Sequence, residues 1–265
     1  MSFSLWQTIV IFAAGFVAGM MNSVAGGGTL LTFPALIWMG MDAKAANVTS
    51  TVALWPGSLG GMFGFRRELR GARRWMRLLA VPSVLGGLVG AVLLIKTPSR
   101  IFAAIVPFLI LFATILFAAG ERIARRIGST ATAQETGDDK SATGPSRAWH
   151  IGAIGLQFLS AIYGGYFGAG NGIIILAVLA LLGLTDIHQM NGLKNFIAVC
   201  INVVASAYFM LWGDVHWAAA LVMMVGAIAG GYGGAGLARR MGRRFARIVV
   251  IVIGLAMAVS LLFRR

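Results

Sequence analysis

Long apolar runs alternate along this chain with short polar joints. The apolar windows predict membrane-spanning helices near 5–24, 45–65, 78–95 and 101–119, and again near 149–167, 190–212, 216–237 and 246–263. Between the first two spans of each half lies a shorter apolar piece, roughly 28–40 and 171–184. About 13 helical residues rise only about 20 Å, against a hydrocarbon core of ~30 Å. These pieces are therefore predicted as half-helices or re-entrant segments. The expected fold is an all-α polytopic membrane protein with eight long transmembrane helices and two short half-helices, arranged as two inverted repeats.

The repeat is legible residue by residue. Residues 25–28 read AGGG and residues 169–172 read AGNG, 144 positions later. Asp42 and Asp186 follow at the same spacing, as do Asn47 and Asn191, and GGLVGA at 86–91 matches GGYGGA at 230–235. Repeated, glycine-broken apolar segments mark a transporter built from two similar halves. Backbone freed inside a membrane is tolerated only where protein or an aqueous site satisfies it.

Composition agrees with the pattern. The 265 residues are 58% hydrophobic and 11% charged, with mean hydropathy +0.85. A soluble domain could not hide that much apolar surface. The 36 glycines fit helices packed backbone to backbone in lipid. Ser23-Val24-Ala25 resembles a signal-peptide cleavage site, but no basic segment precedes the apolar run and the sequence after Ala25 recurs internally, so 5–24 is expected to be a retained helix. A single cysteine, Cys200, excludes an internal disulfide and a cysteine metal site. His150, His188 and His216 all fall near predicted span ends, which disfavours an intramembrane zinc enzyme. Trp6, Trp75, Trp149 and Trp217, also near span ends, read as interfacial anchors.

The net charge of +14 would suggest nucleic acid in a soluble protein. Here it collects in short loops, where it sets orientation and attracts anionic lipid headgroups, and no nucleic-acid partner is expected. The clusters are Arg66, Arg67, Arg70, Arg73, Arg74 and Arg77; Arg122, Arg125 and Arg126; and Arg239, Arg240, Arg243, Arg244 and Arg247. All three are expected in the cytoplasm, which places residue 1 outside and makes the second half enter from inside. Arg264 and Arg265 would then lie outside, against the rule. Residues 128–147 are polar and Gly/Pro-punctuated and read as a flexible cytoplasmic linker between a first repeat, 1–127, and a second, 148–265.

None of the eight acidic residues falls in the middle of a predicted span. Cation-coupled carriers often hold a carboxylate there, so its absence favours anion transport. Asp42 and Asp186 each precede a span, where they either cap the helix or gate a substrate.

Gly26-Gly27-Gly28-Thr29 and Gly170-Asn171-Gly172 each precede a short helix. A helix N-terminus offers unpaired N–H groups and partial positive charge, and glycine lets backbone approach an anion closely. Tight packing is the alternative reading of the glycines; the polar Asn171 within the break argues against it. Candidate side-chain donors are Asn22 before the first break, Thr49 and Ser50 beside Asn47 and Thr51, and Asn191, Lys194 and Asn195. Lys194 is the one basic residue expected within a membrane segment. It either faces a cavity or snorkels to the cytoplasmic surface. Asn202, deeper on the same helix, reads as a packing contact, as do the pairs Gly86 with Gly90 and Gly230 with Gly234.

GFVAGMMNSVAGGGTLLTFPAL at 15–36 with AANVTST at 45–51, and GGYFGAGNGIIILAVLALLGL at 164–184 with MNGLKN at 190–195, resemble the two repeats of the sulfite exporter TauE/SafE family. The resemblance covers almost the whole chain outside 128–147. It implies a bacterial inner-membrane permease for sulfite, organosulfonates or related sulfur oxyanions, with no cofactor and no enzymatic activity. The residues themselves leave a channel-like anion conduit open, and, in a different class, a membrane enzyme or scaffold that does not transport.

Overall fold

A computed structural model describes residues 3–24, 26–135, 147–241 and 243–263. Among the described residues there are eleven helices and no strand. They are α1 (Leu5–Val24), α2 (Thr29–Trp38), α3 (Ala43–Gly64), α4 (Arg66–Gly71), α5 (Arg73–Lys96), α6 (Ser99–Glu135), α7 (Arg147–Tyr166), α8 (Asn171–Leu181), α9 (Ile187–Trp212), α10 (Trp217–Met241) and α11 (Arg243–Phe263). Among the described residues, Leu5–Asn22, Arg73–Lys96, Ser99–Ala119 and Ile187–Trp212 are long and apolar enough to cross a membrane. Thr29–Trp38, Asn171–Leu181, Trp217–Gly233 and Ile251–Leu261 are shorter apolar stretches. Large apolar side chains such as Val81, Leu85, Phe108, Ile115, Leu159 and Val225 stand exposed around the bundle. Water would not tolerate such a girdle on a folded domain, and lipid covers it.

Two short helices interrupt the bundle as the apolar runs predict. Before α2, Gly26 (φ 76°) and Gly27 (φ 95°) are left-handed; before α8, Gly168 (φ 75°) and Gly170 (φ 72°) are. A Cβ disfavours that conformation, so these four positions require glycine. The far ends also match. Met41 N donates to Leu36 O (3.2 Å) and Gly40 N to Ile37 O (2.9 Å), as Leu184 N donates to Leu179 O (3.1 Å) and Gly183 N to Ala180 O (2.9 Å). Each is a Schellman termination on a left-handed glycine. Asp42 then accepts from Lys44 N (3.0 Å) and Asp186 from His188 N (2.9 Å). Both aspartates are thus helix N-caps.

Glycine sets the helix contacts. A Cβ on Gly15 or Gly19 of α1 would overlap the carbonyls of Met223 and Ala227 on α10, so the two helices run in the same direction. Gly86 and Gly90 of α5 meet Phe158 and Ile162 of α7 in the same parallel sense. Gly57 and Gly60 of α3 lie along Ala227 and Gly231 of α10, whereas α9 passes α3 in the opposite direction, with Gly213 beside Val48 and Ser206 beside Thr51. Helix α9 begins beside α4, where Gly192 meets Leu69, and reaches α5 at Ile201 and Gly87. The contacts α1–α10, α3–α10 and α2–α11 have counterparts in α7–α5, α9–α5 and α8–α6. Two apolar cores flank the middle, one around Phe33, Val48, Phe102 and Phe167, the other around Leu69, Leu79, Val178 and Leu193.

The polar joints differ from expectation. Residues 66–77, anticipated as a loop, form α4 and the first turns of α5. Arg, Glu and Leu are good helix formers, and Leu69 is buried against α9. Beyond residue 119, α6 stays helical to Glu135, so 128–135 of the anticipated linker is helix, and α7 begins at Arg147. Residues 136–146 lie outside the described residues, as do residue 1, Ala25, Gly242, Arg264 and Arg265. The third arginine cluster falls on the end of α10 and the start of α11.

Candidate functional site

A cavity of about 50 Å3 lies where the two breaks meet. A single water needs about 10–15 Å3 on this measure, so the space suits a few waters or one small ion and is too small for a nucleotide or peptide. The breaks converge closely: a Cβ on Gly26 would stand 3.2 Å from Gly172 Cα. Gly26, Gly27 and Thr29 line the cavity from the first break, and Gly168, Asn171 and Gly172 from the second.

The walls come from α3 and α9. Thr51, Leu54 and Ser58 face the cavity from α3, and Asn195, Ala198 and Asn202 face it from α9. Each of the second three is its counterpart's number plus 144. The i, i+3, i+7 spacing is one face of a helix, so both long helices present the same face to the same point.

Two positions break the equivalence and give the site its polarity. Ser50 on α3 is held in a buried hydrogen bond with Thr32 (2.6 Å), tying α3 to α2. Its counterpart on α9, Lys194, lines the cavity and is only 1% exposed. Lys194 lies seven residues into α9, about 10 Å along the helix. That burial excludes a head group held in bulk water, so the side chain does not snorkel. Gly27 in the first break is likewise replaced by Asn171 in the second. Asn171 Oδ1 accepts from Ser160 Oγ (2.7 Å), and its Nδ2 lies against Gly164, where a Cβ would collide with it.

The remaining donors are graded by their partners. Asn22 Oδ1 accepts from Gly28 N (2.8 Å), closing one open N–H of the α2 start. Asn195 is 3% exposed, and its Nδ2 has no hydrogen-bond partner. A buried amide donor left open costs about 1–3 kcal/mol, a penalty that an acceptor entering the cavity would relieve.

Of the residues singled out from sequence, Asn22, Gly26, Gly27, Thr29, Asn171, Gly172, Lys194 and Asn195 line the cavity. Gly28, Thr49, Ser50, Gly170 and Asn191 do not. Gly28 N is spent on Asn22, and Gly170 packs against Ala113. Thr49 Oγ1 accepts from His216 N (3.1 Å), and Asn191 Nδ2 donates to Ile187 O (2.8 Å) of its own helix. Thr49 and Ser50 miss the cavity because Thr51 sets the helical phase, and Asn191 is one turn too close to the helix end. Sequence reasoning overlooked Ser58 and left Asn202 as a packing residue; both line the site. The spacing that pairs the breaks also pairs Ser58 with Asn202, and it was the available signal. Among the described residues no group of three or more His, Cys, Asp or Glu side chains could hold a metal ion.

Comparison with known proteins agrees with this architecture. The family model for the sulfite exporter TauE/SafE matches residues 11–261. The chain is 29% identical over 257 residues to a "Probable membrane transporter protein" of Haemophilus influenzae, covering 96% of this chain and 94% of that one. It is 25% identical over 252 residues to "Probable membrane transporter protein ORF9" of Sinorhizobium, covering 95% and 91%. It is 26% identical over 255 residues to "Probable membrane transporter protein YfcA" of Escherichia coli strain K12, covering 96% and 89%. No solved structure matches the chain. A multi-pass helical bundle with a polar cavity at its glycine breaks, matched by the family model along nearly its full length, belongs to the sulfite exporter TauE/SafE family of membrane transporters.

Proposed function

We propose that the chain is a permease of the bacterial inner membrane that exports a small oxyanion, a sulfite, organosulfonate or related sulfur oxyanion, through a site between two inverted repeats. The observation that carries this reading is the pairing of Lys194 with Asn195 at the cavity. An ammonium 1% exposed and an amide donor without a partner face the same space as two helix starts. Positive charge, N–H donors and partial helix charge are what an oxyanion needs in a low-dielectric setting. A carboxylate would be expected beside them for cation coupling, and among the described residues none lines the cavity.

The repeat relation supports a single central site. Helices α1, α3 and α10 share one direction, α5, α7 and α9 share the other, and α1 and α7 begin the two halves. Two halves of opposite sense then contribute Thr51, Leu54 and Ser58 on one side and Asn195, Ala198 and Asn202 on the other. With the arginine-rich α4 end in the cytoplasm, the start of α1 at Leu5 lies outside. A monovalent anion leaving a negative interior gains about 2.3 kcal/mol per 100 mV, so export requires no coupling ion and no enzymatic step.

The test is anion flux in proteoliposomes, with sulfite, sulfoacetate, taurine and sulfate compared in parallel. Lys194→Met should lower oxyanion flux at least tenfold, about 1.4 kcal/mol, with the protein still in the membrane. Normal flux and unchanged apparent affinity in that variant would remove the lysine from the site and with it this reading.

A further inference from the structure

The two halves are not in equivalent states at their helix starts. Asn47 on α3 and Asn191 on α9 are counterparts 144 residues apart. Asn47 is 1% exposed, and its Nδ2 reaches across to the other half, donating to Tyr166 O (2.9 Å) at the end of α7. Tyr166 is the last residue before the second break. The residue that corresponds to it in the first half is Asn22, on the last turn of α1 before the first break. A symmetric molecule would therefore join Asn191 to Asn22 O. Instead Asn191 Nδ2, at a half-buried position, turns back to Ile187 O on its own helix.

The surroundings follow the same division. At the start of α3, Lys44 Nζ donates to Ile95 O (2.7 Å) and Thr97 O (2.8 Å), closing the end of α5. Tyr166 Oη lies in hydrogen-bond range of Thr97 Oγ1 (3.4 Å), His216 N donates to Thr49 Oγ1, and Ser206 Oγ donates to Thr51 O (3.3 Å). Phe33 and Phe102 pack against Phe167 just beyond the clasp. At the start of α9, the counterpart of Lys44 is His188, which is exposed along with Ile187. Among the described residues, the end of the bundle that holds α3's start is drawn together across the halves, while at α9's start Ile187 and His188 are left exposed.

We infer that Asn47 and Asn191 are alternating clasps of the transport cycle: Asn47 on Tyr166 O holds the outer side closed, and its release is matched by Asn191 closing on Asn22 O at the inner side. This rests on the inverted-repeat reading above and adds the state of the molecule and the two residues that exchange. The break carbonyls are suited to the exchange because Asn22 lines the cavity and Tyr166 is joined to Phe167, which also lines it, so that an arriving ion bears on both halves at once. Asn47 also leaves its Oδ1 buried without a partner. A half-satisfied amide holds less firmly than a fully bonded one, so the clasp can open within a cycle. An exchange of this kind is a population shift between two packed arrangements related by the repeat.

The experiment reads sidedness, and it needs no substrate. In a Cys200→Ser background, Ser58→Cys places one thiol at the cavity, and a small membrane-impermeant methanethiosulfonate is applied to either face of oriented vesicles. Reactivity should be greater from the cytoplasmic face. Asn47→Ala should raise the outside-to-inside ratio of labelling rates about fivefold, the shift that one ordinary hydrogen bond makes in a two-state equilibrium. Adding Asn191→Ala to Asn47→Ala should bring the ratio back toward its starting value, which generalised damage would not do. Asn47→Ser, a smaller change, guards against misfolding and should shift the ratio in the same direction. An unchanged ratio in both Asn47 variants, or a double variant displaced further outward, overturns the clasp exchange. Anion flux is measured in parallel on vesicles of the same Asn47 and Asn191 variants that keep Ser58, so a failure of the clasps with flux intact is distinguishable from a failure of the permease reading.

Discussion

Gly26 and Gly172, from different halves of the chain, approach until a Cβ on the first would lie 3.2 Å from the Cα of the second. A side chain on Gly26 would crowd Gly172, whose backbone would have to give by a few tenths of an ångström. The approach brings the starts of α2 and α8 to one point, with Lys194 and Asn195 arriving from α9. Glycine here shapes the cavity as much as the helix packing.

Gly26→Ala should therefore damage function beyond its cost in stability. The new methyl meets Gly172 and must also adopt φ 76°, a strain of roughly 1–2 kcal/mol for a residue with a Cβ. Gly40→Ala supplies the comparison, because Gly40 has φ 86° but nothing within 4 Å of an added Cβ. Both variants should lower the thermal unfolding temperature in detergent by similar amounts. Only Gly26→Ala should abolish anion flux; equal flux in the two would show that the gap between the breaks is not used.

The two aspartates resolve into caps, and this can be checked chemically. Asp42→Ala and Asp186→Ala should each destabilise the fold by about 1 kcal/mol, and the losses should add, since the two caps share no partner. Asp42→Asn and Asp186→Asn should restore most of it, because asparagine caps as well as aspartate does. A carboxylate that gated the substrate would not be replaced by an amide, so flux in the Asn variants separates the two roles.

What could be read from the sequence divides along physical lines. The breaks, the half-helices and their end caps were legible because each depends on local chemistry, such as left-handed glycine or aspartate before a helix, and because each occurs twice. The polar joints were not. Arginine-rich stretches mark a side of the membrane without opposing helix formation, so α4 and the extension of α6 to Glu135 gave no compositional warning. The site was half legible. Lys194 and Asn195 stood out as polar groups in apolar surroundings, but Thr49 and Ser50 were put beside them without knowledge of helical phase. A shift of one or two residues on a helix turns a side chain by roughly 100–200°. Phase is fixed by packing, and here Thr32 draws Ser50 away from the cavity while Thr51 takes the place opposite Asn195.

Helix contacts built on glycine should respond to volume according to what lies opposite. A Cβ on Gly86 would stand 2.6 Å from Phe158 O on α7, a backbone atom that cannot step aside. Gly86→Ala should destabilise by about 1–3 kcal/mol, the usual cost of overpacking. Gly155, on α7 with nothing within 4 Å, should behave oppositely: Gly155→Ala should gain up to about 1 kcal/mol from helix propensity. Thermal unfolding followed by size-exclusion chromatography reads both, and a stabilised Gly86→Ala would mean that α5 and α7 do not pack as described.

The charge of the cavity is its most specific feature, and Asn195 allows it to be reversed with a change of almost no volume. Asn195→Asp replaces the open Nδ2 donor by a carboxylate oxygen in a position 3% exposed and next along α9 from Lys194. A carboxylate there would repel an incoming oxyanion and offset the ammonium, and burial limits the screening of either effect. Oxyanion flux should fall at least tenfold, about 1.4 kcal/mol, at pH 7. It should recover partly as the pH is lowered, because protonating the new carboxyl removes the added charge and restores a donor. Lys194→Met combined with Asn195→Asp should be worse than either change alone, with one attraction lost and one repulsion added. If Asn195→Asp carries oxyanion at the wild-type rate across that pH range, the ion does not pass within reach of Asn195, and the route must lie elsewhere in the bundle.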